Sequence, residues 1–198
     1  MPLFIESVKL VNGVFYRLSL HQIRVNKIFV EYFPADKVID LEELFYHSDF
    51  PKVGKYKCRL VFDVNIQQFE IAEYQIRSIK SLRLVETSAQ SFPYKIEDRS
   101  AFNDAFAQRG TCDDVLLVRE GFFTDTSYAN IALFDGNKWF TPETPLVYGV
   151  NRAELLSEGL IHEKQIKLNE LQNYTRIRLF NAMIEFGEIE IGIEHCFE

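Results

Sequence analysis

Three glycine-bearing pairs, Asn12-Gly13, Glu120-Gly121 and Asp135-Gly136, each stand between runs of residues that favour extended backbone. Pairs of this kind supply the positive φ angles that close a tight turn, so each ties its flanking runs into neighbouring antiparallel strands. The first joins the two halves of FIESVKLVNGVFYRLSL, and the other two divide DDVLLVREGFFTDTSYANIALFDGNKWFTPE into three successive strands. KYKCRLVFDVN, QQFEIAEYQI and SIKSLRLVE alternate or run apolar and read as further strands. With 18 Phe and 9 Tyr, the chain has the bulky side chains that a strand-rich core uses.

Helical segments are fewer. SLHQIRVNKIFVEYF carries Ile23, Val25, Ile28, Phe29 and Tyr32 on a roughly helical period, with Ser19 as candidate N-cap and Pro34 beyond its end. DLEELFYHSDF, SAFNDAFAQRG closing on Gly110, and NRAELLSEGL read as shorter helices. Ser91-Phe92-Pro93 interrupts the pattern near mid-chain, because proline restricts both itself and the residue before it. The sequence therefore predicts an α+β chain in two parts: a smaller N-terminal α/β lobe, 1–91, and a larger strand-rich C-terminal lobe, 92–198.

Several function classes are excluded on composition. The 29 acidic residues outnumber 22 basic ones, which argues against nucleic acid, since phosphate backbones need clustered positive charge. No apolar run approaches the ~18–20 residues of a membrane-spanning helix, and the amino terminus lacks the charged and apolar regions of a signal peptide. A cytoplasmic protein with a small-molecule ligand or a protein partner is expected. The three cysteines are odd in number and far apart, with no pair at metal-ligand spacing, so they read as reduced thiols and no metal site is expected.

Four features match what a phosphate-bearing cofactor with a reactive aldehyde requires. Lys95, just after the proline break, supplies an amine whose surroundings could be made dry enough to activate it. Asp125, in FFTDTSYANIAL, has small and hydroxyl neighbours and suits a carboxylate that keeps a pyridine nitrogen protonated. YGVNRAELL offers a helix start for an anion, with Gly149 allowing close backbone approach and Val150 and Asn151 leading the first turn. Arg24 is a candidate permanent cation. Each has a plainer reading too: Lys95 as a surface charge, Asp125 as a turn residue, Val150 and Asn151 as an ordinary helix start, and His21 with Arg24 as the polar side of an amphipathic helix.

The ordered set YKxxDR, GFFTDTSYANI, WFTP, YGVNR and LFNAM resembles the class IV aminotransferases, enzymes of the pyridoxal 5′-phosphate (PLP) fold type IV. The resemblance covers residues 95–187 and reaches FIES and HQIR more weakly. It implies a two-lobed D-amino-acid-aminotransferase-like fold, PLP as cofactor, a small amino substrate and a homodimer. By position, Lys95 matches the lysine that carries the cofactor and moves protons. Asp125 falls where the family usually has a glutamate at the ring nitrogen, with the same charge and a shorter reach. Val150 and Asn151, Arg24, and Asn181 with Ala182 match phosphate-holding positions, and Thr141-Pro142 matches a structural pair. Lys95 followed by Asp98-Arg99, and Asn-Ala-Met at 181–183, are more similar to aminodeoxychorismate lyase, which releases pyruvate to leave 4-aminobenzoate, than to the branched-chain aminotransferases. An amino-acid aminotransferase, for branched-chain or D-amino acids, and a shortened relative with a binding or regulatory role are the other possibilities the resemblance allows. Family members usually place an upstream segment before the Phe-Glu-Thr that Phe4-Ile5-Glu6-Ser7 resembles, so cofactor binding is expected to be kept more closely than substrate recognition.

Overall fold

The computed structural model describes residues 2–91 and 93–197, so Phe92, in the middle of the Ser-Phe-Pro break, lies outside the described residues. They fall into two compact units. The first holds the residues up to Ile76 together with Tyr94–Asp98, and the second holds Arg77–Pro93 and the residues from Arg99 onward.

In the first unit, β1 (Phe4–Val11) and β2 (Val14–Phe15) form a hairpin, followed by α1 (Leu18–Tyr32), α2 (Leu41–Tyr46), β3 (Lys55–Phe62) and β4 (Ile66–Glu73). Among the described residues the sheet runs β2-β1-β3-β4. Asn12 and Gly13 take φ of 49° and 82°, as a two-residue hairpin loop demands. α1 is not capped by Ser19. The Tyr16 N–H donates to the Lys9 carbonyl and holds the chain to β1, so the turn into the helix falls on Arg17, whose φ is 56°. One face of β1 presents Phe4, Glu6, Val8 and Leu10, all fully buried. Phe4, Phe29, Phe33 and Phe62 make edge and stacked ring contacts on that side, so Glu6 is the one charged member of an otherwise apolar row.

In the second unit, β5 (Leu82–Glu86) is followed by α3 (Ser100–Ala107), β6 (Asp114–Arg119), β7 (Phe122–Thr126), β8 (Asn130–Phe134), β9 (Trp139–Pro142), α4 (Val150–Ser157), β10 (His162–Lys164), β11 (Arg176–Phe180), β12 (Ile189–Gly192) and β13 (Cys196–Phe197). The sheet order is β10-β9-β8-β7-β6-β5-β13, with β11 pairing both β8 and β12. β5 pairs in parallel with β6, and parallel neighbours need a long crossover, supplied by residues 87–113 with α3. Val85, Ala89, Ala105, Val115, Leu117 and Leu146 bury together under it. Because of this pairing, the division does not fall at one point near residue 92. Residues 77–91 join the second unit, and Tyr94–Asp98 returns to the first.

The stretch FFTDTSYANIAL, expected as one strand, is two. It folds back at Ser127–Ala129, where the Thr126 hydroxyl oxygen accepts from the Ala129 N–H at 3.0 Å and the Thr126 N–H donates to the Ala129 carbonyl. Asp125 and Asn130 become direct cross-strand partners.

Candidate active site

Lys95 is not in a free linker. The Ile5 N–H donates to its carbonyl at 2.7 Å, the Glu97 N–H donates to Leu3, and Ile96 bridges Phe4, so the segment lies against the edge of β1 as a short antiparallel strand. The Lys95 Nζ donates to the Ser7 Oγ at 3.2 Å. A lysine backbone pinned on both sides gives its amine a fixed origin.

Beside it, α1 places His21 and Arg24 one turn apart, which puts them on the same helix face toward Glu6. Arg24 donates through Nε and Nη2 to the two Glu6 oxygens at 2.7 and 2.6 Å, a bidentate grip that takes two of its five N–H groups. His21 Nδ1 makes a short contact to the same carboxylate. Burial pushes the Glu6 carboxyl up, but Arg24 and His21 outweigh it and hold the pKa at about 2. His21 is itself buried, and burial, with the charges of Arg24 and Lys95, keeps it below its usual pKa despite Glu6. At neutral pH it is therefore an uncharged donor through Nδ1, with a buried Nε2 that has no partner among the described residues.

The second unit assembles a different group. Asp125 Oδ1 accepts from Asn130 Nδ2 at 2.7 Å, and Oδ2 accepts from the Leu146 and Val147 N–H groups at 2.5 and 3.1 Å. Three donors leave an acceptor position on Oδ1 for one more partner. At 2 % exposure, burial raises this carboxyl to about 6 against those bonds. Asn130 also donates to the Val147 carbonyl at 2.8 Å, so it fixes the acid and the loop before α4 together.

Gly149, the N-cap of α4, has φ −70°, which any residue adopts, and the reason for glycine is space. A Cβ there would stand 2.2 Å from Asn130 Oδ1. The close approach is to Asn130, a reason the sequence alone did not reveal. Gly149→Ala is expected to destabilise the protein by ~1–3 kcal/mol, the usual cost of overpacking. Urea unfolding checks this, and Asn130→Ala in the same chain should recover part of the loss, since the two residues share one space.

α4 begins at Val150 without a side-chain cap. Asn151 is fully buried, and its Nδ2 donates to the Asn181 and Ile184 carbonyls at 2.9 and 3.0 Å. Asn181 in turn accepts from the Met183 and Ile184 N–H groups and donates to the Tyr128 carbonyl, which shapes the turn containing Ala182. The YGVNR and LFNAM segments are thus brought into one place, and Asn151 Oδ1 is left buried without a partner among the described residues. Arg99, whose Nη2 donates to the Ser127 carbonyl at 2.5 Å, adds a cation that interacts with Asp125. Thr141 donates to the Ile131 carbonyl at 2.8 Å and is structural in its contacts.

Of the residues picked from the sequence, Lys95 and Arg24 lie in the first unit, and Asp125, Val150, Asn151, Asn181 and Ala182 lie in the second. Ser7, Glu6, His21 and Asn130 join them without having been picked. A glutamate inside the apolar run FIESV, and a histidine three residues before an arginine, were the available signals for two of these.

The Amino-transferase class IV family model matches residues 55–190. The chain belongs to this family. An uncharacterized protein of Haemophilus influenzae is 34% identical over 184 residues, covering 92% of this chain and 97% of its own. The crystal structure of a Haemophilus somnus 129PT protein, provisionally named 4-amino-4-deoxychorismate lyase, is similar at a TM-score of 0.86 and 26% identity, over 93% of this chain and 98% of that one. An aminotransferase from Brucella abortus, solved with PLP bound, shares the fold at a TM-score of 0.71 and 16% identity, over 93% of this chain and 79% of that one. Class IV members are PLP-dependent aminotransferases and lyases, and the sheet-dominated α/β architecture here is that of fold type IV. Among the described residues, no helix is long and apolar enough to cross a membrane.

Proposed function

We propose that this chain is a PLP-dependent enzyme acting on a small amino substrate, with the activity of an aminodeoxychorismate lyase. The observation that carries the reading is the tethering of Lys95: its backbone is fixed to β1 and its amine is held at Ser7. The donor set also fits the cofactor. Asp125 is a buried carboxylate with room for one more donor, as a protonated ring nitrogen requires. α4 starts without a side-chain cap, and the backbone N–H groups of a helix start suit the phosphate.

In this reading Lys95 would hold the cofactor and move protons at the reacting carbon. Asp125 would hold the ring-nitrogen proton, and a cation there would draw its pKa below 6. Val150 and Asn151, the turn of Asn181 and Ala182, and Arg24 would hold the phosphate. When bound, PLP supplies an electron sink for a bond broken next to the substrate amine. A homodimer in the cytoplasm is part of the same proposal. The lyase assignment is supported by the likeness to the Haemophilus somnus protein over nearly the whole of both chains.

The test is product analysis. Aminodeoxychorismate with the PLP-loaded protein should give equal amounts of 4-aminobenzoate and pyruvate. Amino exchange that depends on a 2-oxo acid, with no 4-aminobenzoate, would make the chain an aminotransferase, and a loaded protein with neither activity would favour a binding role.

A further inference from the structure

The chain crosses from the second unit back to the first between Pro93 and Tyr94 and stays there to Asp98, so Lys95 sits one residue inside the returning segment. Two backbone bonds hold that segment to β1: the Ile5 N–H donates to the Lys95 carbonyl at 2.7 Å, and the Glu97 N–H donates to the Leu3 carbonyl at 2.8 Å. These bonds fix its distance from β1. Its roll about its own axis, which aims every side chain it carries, falls to the side chains on either face. Tyr94 and Lys95 leave on opposite faces. The Lys95 Nζ donates to Ser7 Oγ, whereas the Tyr94 ring packs edge-on against Phe4 and Tyr32, with centroids 6.1 and 6.0 Å away. The Tyr94 hydroxyl donates to Glu31 Oε2 at 2.6 Å.

Glu31 is exposed on the last turn of α1, where the helix dipole disfavours an acid, and no basic residue accompanies it there. Two phenols gather on its carboxylate: Tyr94 through the 2.6 Å bond, and Tyr32 through its own hydroxyl. An O–H donated to an ionised carboxylate is about twice as strong as a neutral bond. We propose that Tyr94 and Glu31 are positioning residues for Lys95: their bond anchors the far side of the segment to α1, fixes its roll, and so aims the lysine amine toward Ser7. α1 also carries Arg24, about two turns before Glu31. One helix therefore holds the candidate phosphate arginine and, through Glu31 and Tyr94, the strand that bears the lysine, which sets the two at a constant separation. The proposal rests on the PLP reading for what the aimed amine does, while the anchor itself exists without the cofactor.

Amide exchange in the PLP-free protein reads the seat of the segment, and the rate at which the visible band appears on adding PLP reads the aim of the amine. Tyr94→Phe keeps the ring and loses the hydroxyl. It should speed exchange of the Ile5 and Glu97 amides about 10-fold, the worth of one bond to a charged group, and leave amides within the β1–β3 pairing at the parent's rate. The band should form roughly 10-fold more slowly, within the ~10²-fold that a 1 Å misplacement costs. Glu31→Ala should match Tyr94→Phe, and Glu31→Gln, whose carbonyl still accepts without the charge, should fall between it and the parent. Tyr94→Phe combined with Glu31→Ala should be no worse than either alone, which isolates the pair from whatever else each residue touches. Tyr32→Phe removes a bond to the same carboxylate and none to the segment, so it should keep the parent's values. Unchanged exchange in Tyr94→Phe overturns the proposal, and so does faster exchange with the band forming at the parent's rate. Additive effects in the double variant, or an equal effect from Tyr32→Phe, also overturn it. Faster exchange throughout the β1–β3 pairing with a lowered thermal midpoint makes the bond a general support of the fold and overturns it too. A parent that forms no band defeats the cofactor reading alone, because exchange at Ile5 and Glu97 still decides whether the anchor seats Lys95.

Discussion

Lys95→Ala protein mixed with PLP is expected to show no visible absorption band and to lose turnover by roughly a thousandfold or more, given that a proton-transferring side chain alone contributes ~10²–10⁴. The fold should survive. What holds residue 95 is its backbone, through the Ile5 N–H and the Phe4 to Ile96 bridge, and both persist with alanine there. The side chain gives up its bond to Ser7, worth about 1 kcal/mol. Thermal unfolding should therefore shift little while the spectrum changes completely. Lys95→Arg separates charge from chemistry: it keeps a cation near Ser7 and His21, yet should also lack the band. A band in Lys95→Ala equal to that of the parent would sink the assignment, because another amine would then be carrying the cofactor.

The sequence made the hairpins legible where a local rule operates. Asn12-Gly13 and Glu120-Gly121 both take positive φ, and residues that tolerate it are scarce enough to mark the turn. The turn at Ser127–Ala129 escaped because it contains no glycine and is closed by Thr126, a residue equally at home in a strand. Missing that turn hid the pairing of Asp125 with Asn130, and with it the reason for Gly149. β5 was placed in the wrong part of the chain for a different reason. Its partner β6 lies beyond a long crossover, and nothing local in SLRLVE announces a parallel neighbour. The cofactor candidates were legible mainly as an ordered set of motifs. Their surroundings were not, since Glu6, Ser7 and His21 acquire meaning only once β1 and α1 are packed and the Lys95 segment lies along β1's edge.

Glu6→Gln should strongly destabilise the first unit. The substitution keeps the shape and removes the charge that the buried Arg24 guanidinium faces through two bonds. Breaking one partner of a buried pair typically costs ~3–5 kcal/mol. The pH dependence identifies the cause. Glu6 is held at about 2 in the folded protein against 4.5 unperturbed, so its stabilisation is full above 4.5 and is lost as pH falls toward 2, about 3 kcal/mol in all. Asp125 has the opposite sign. Its folded value of about 6 exceeds the unperturbed 3.8, so the folded state holds this proton more tightly and stability declines as pH rises from about 4 through 6. Urea unfolding of the PLP-free protein across pH should show Glu6→Gln flattening the steep acid limb while leaving the decline between 4 and 6. Asp125→Asn should do the reverse. If the acid limb is as steep in Glu6→Gln as in the parent, the Arg24 and His21 contacts do not hold Glu6 ionised. PLP then supplies an internal check on Asp125: a protonated ring nitrogen beside the carboxylate favours its charged form, so loading the parent with cofactor should erase the same 4 to 6 decline that Asp125→Asn erases.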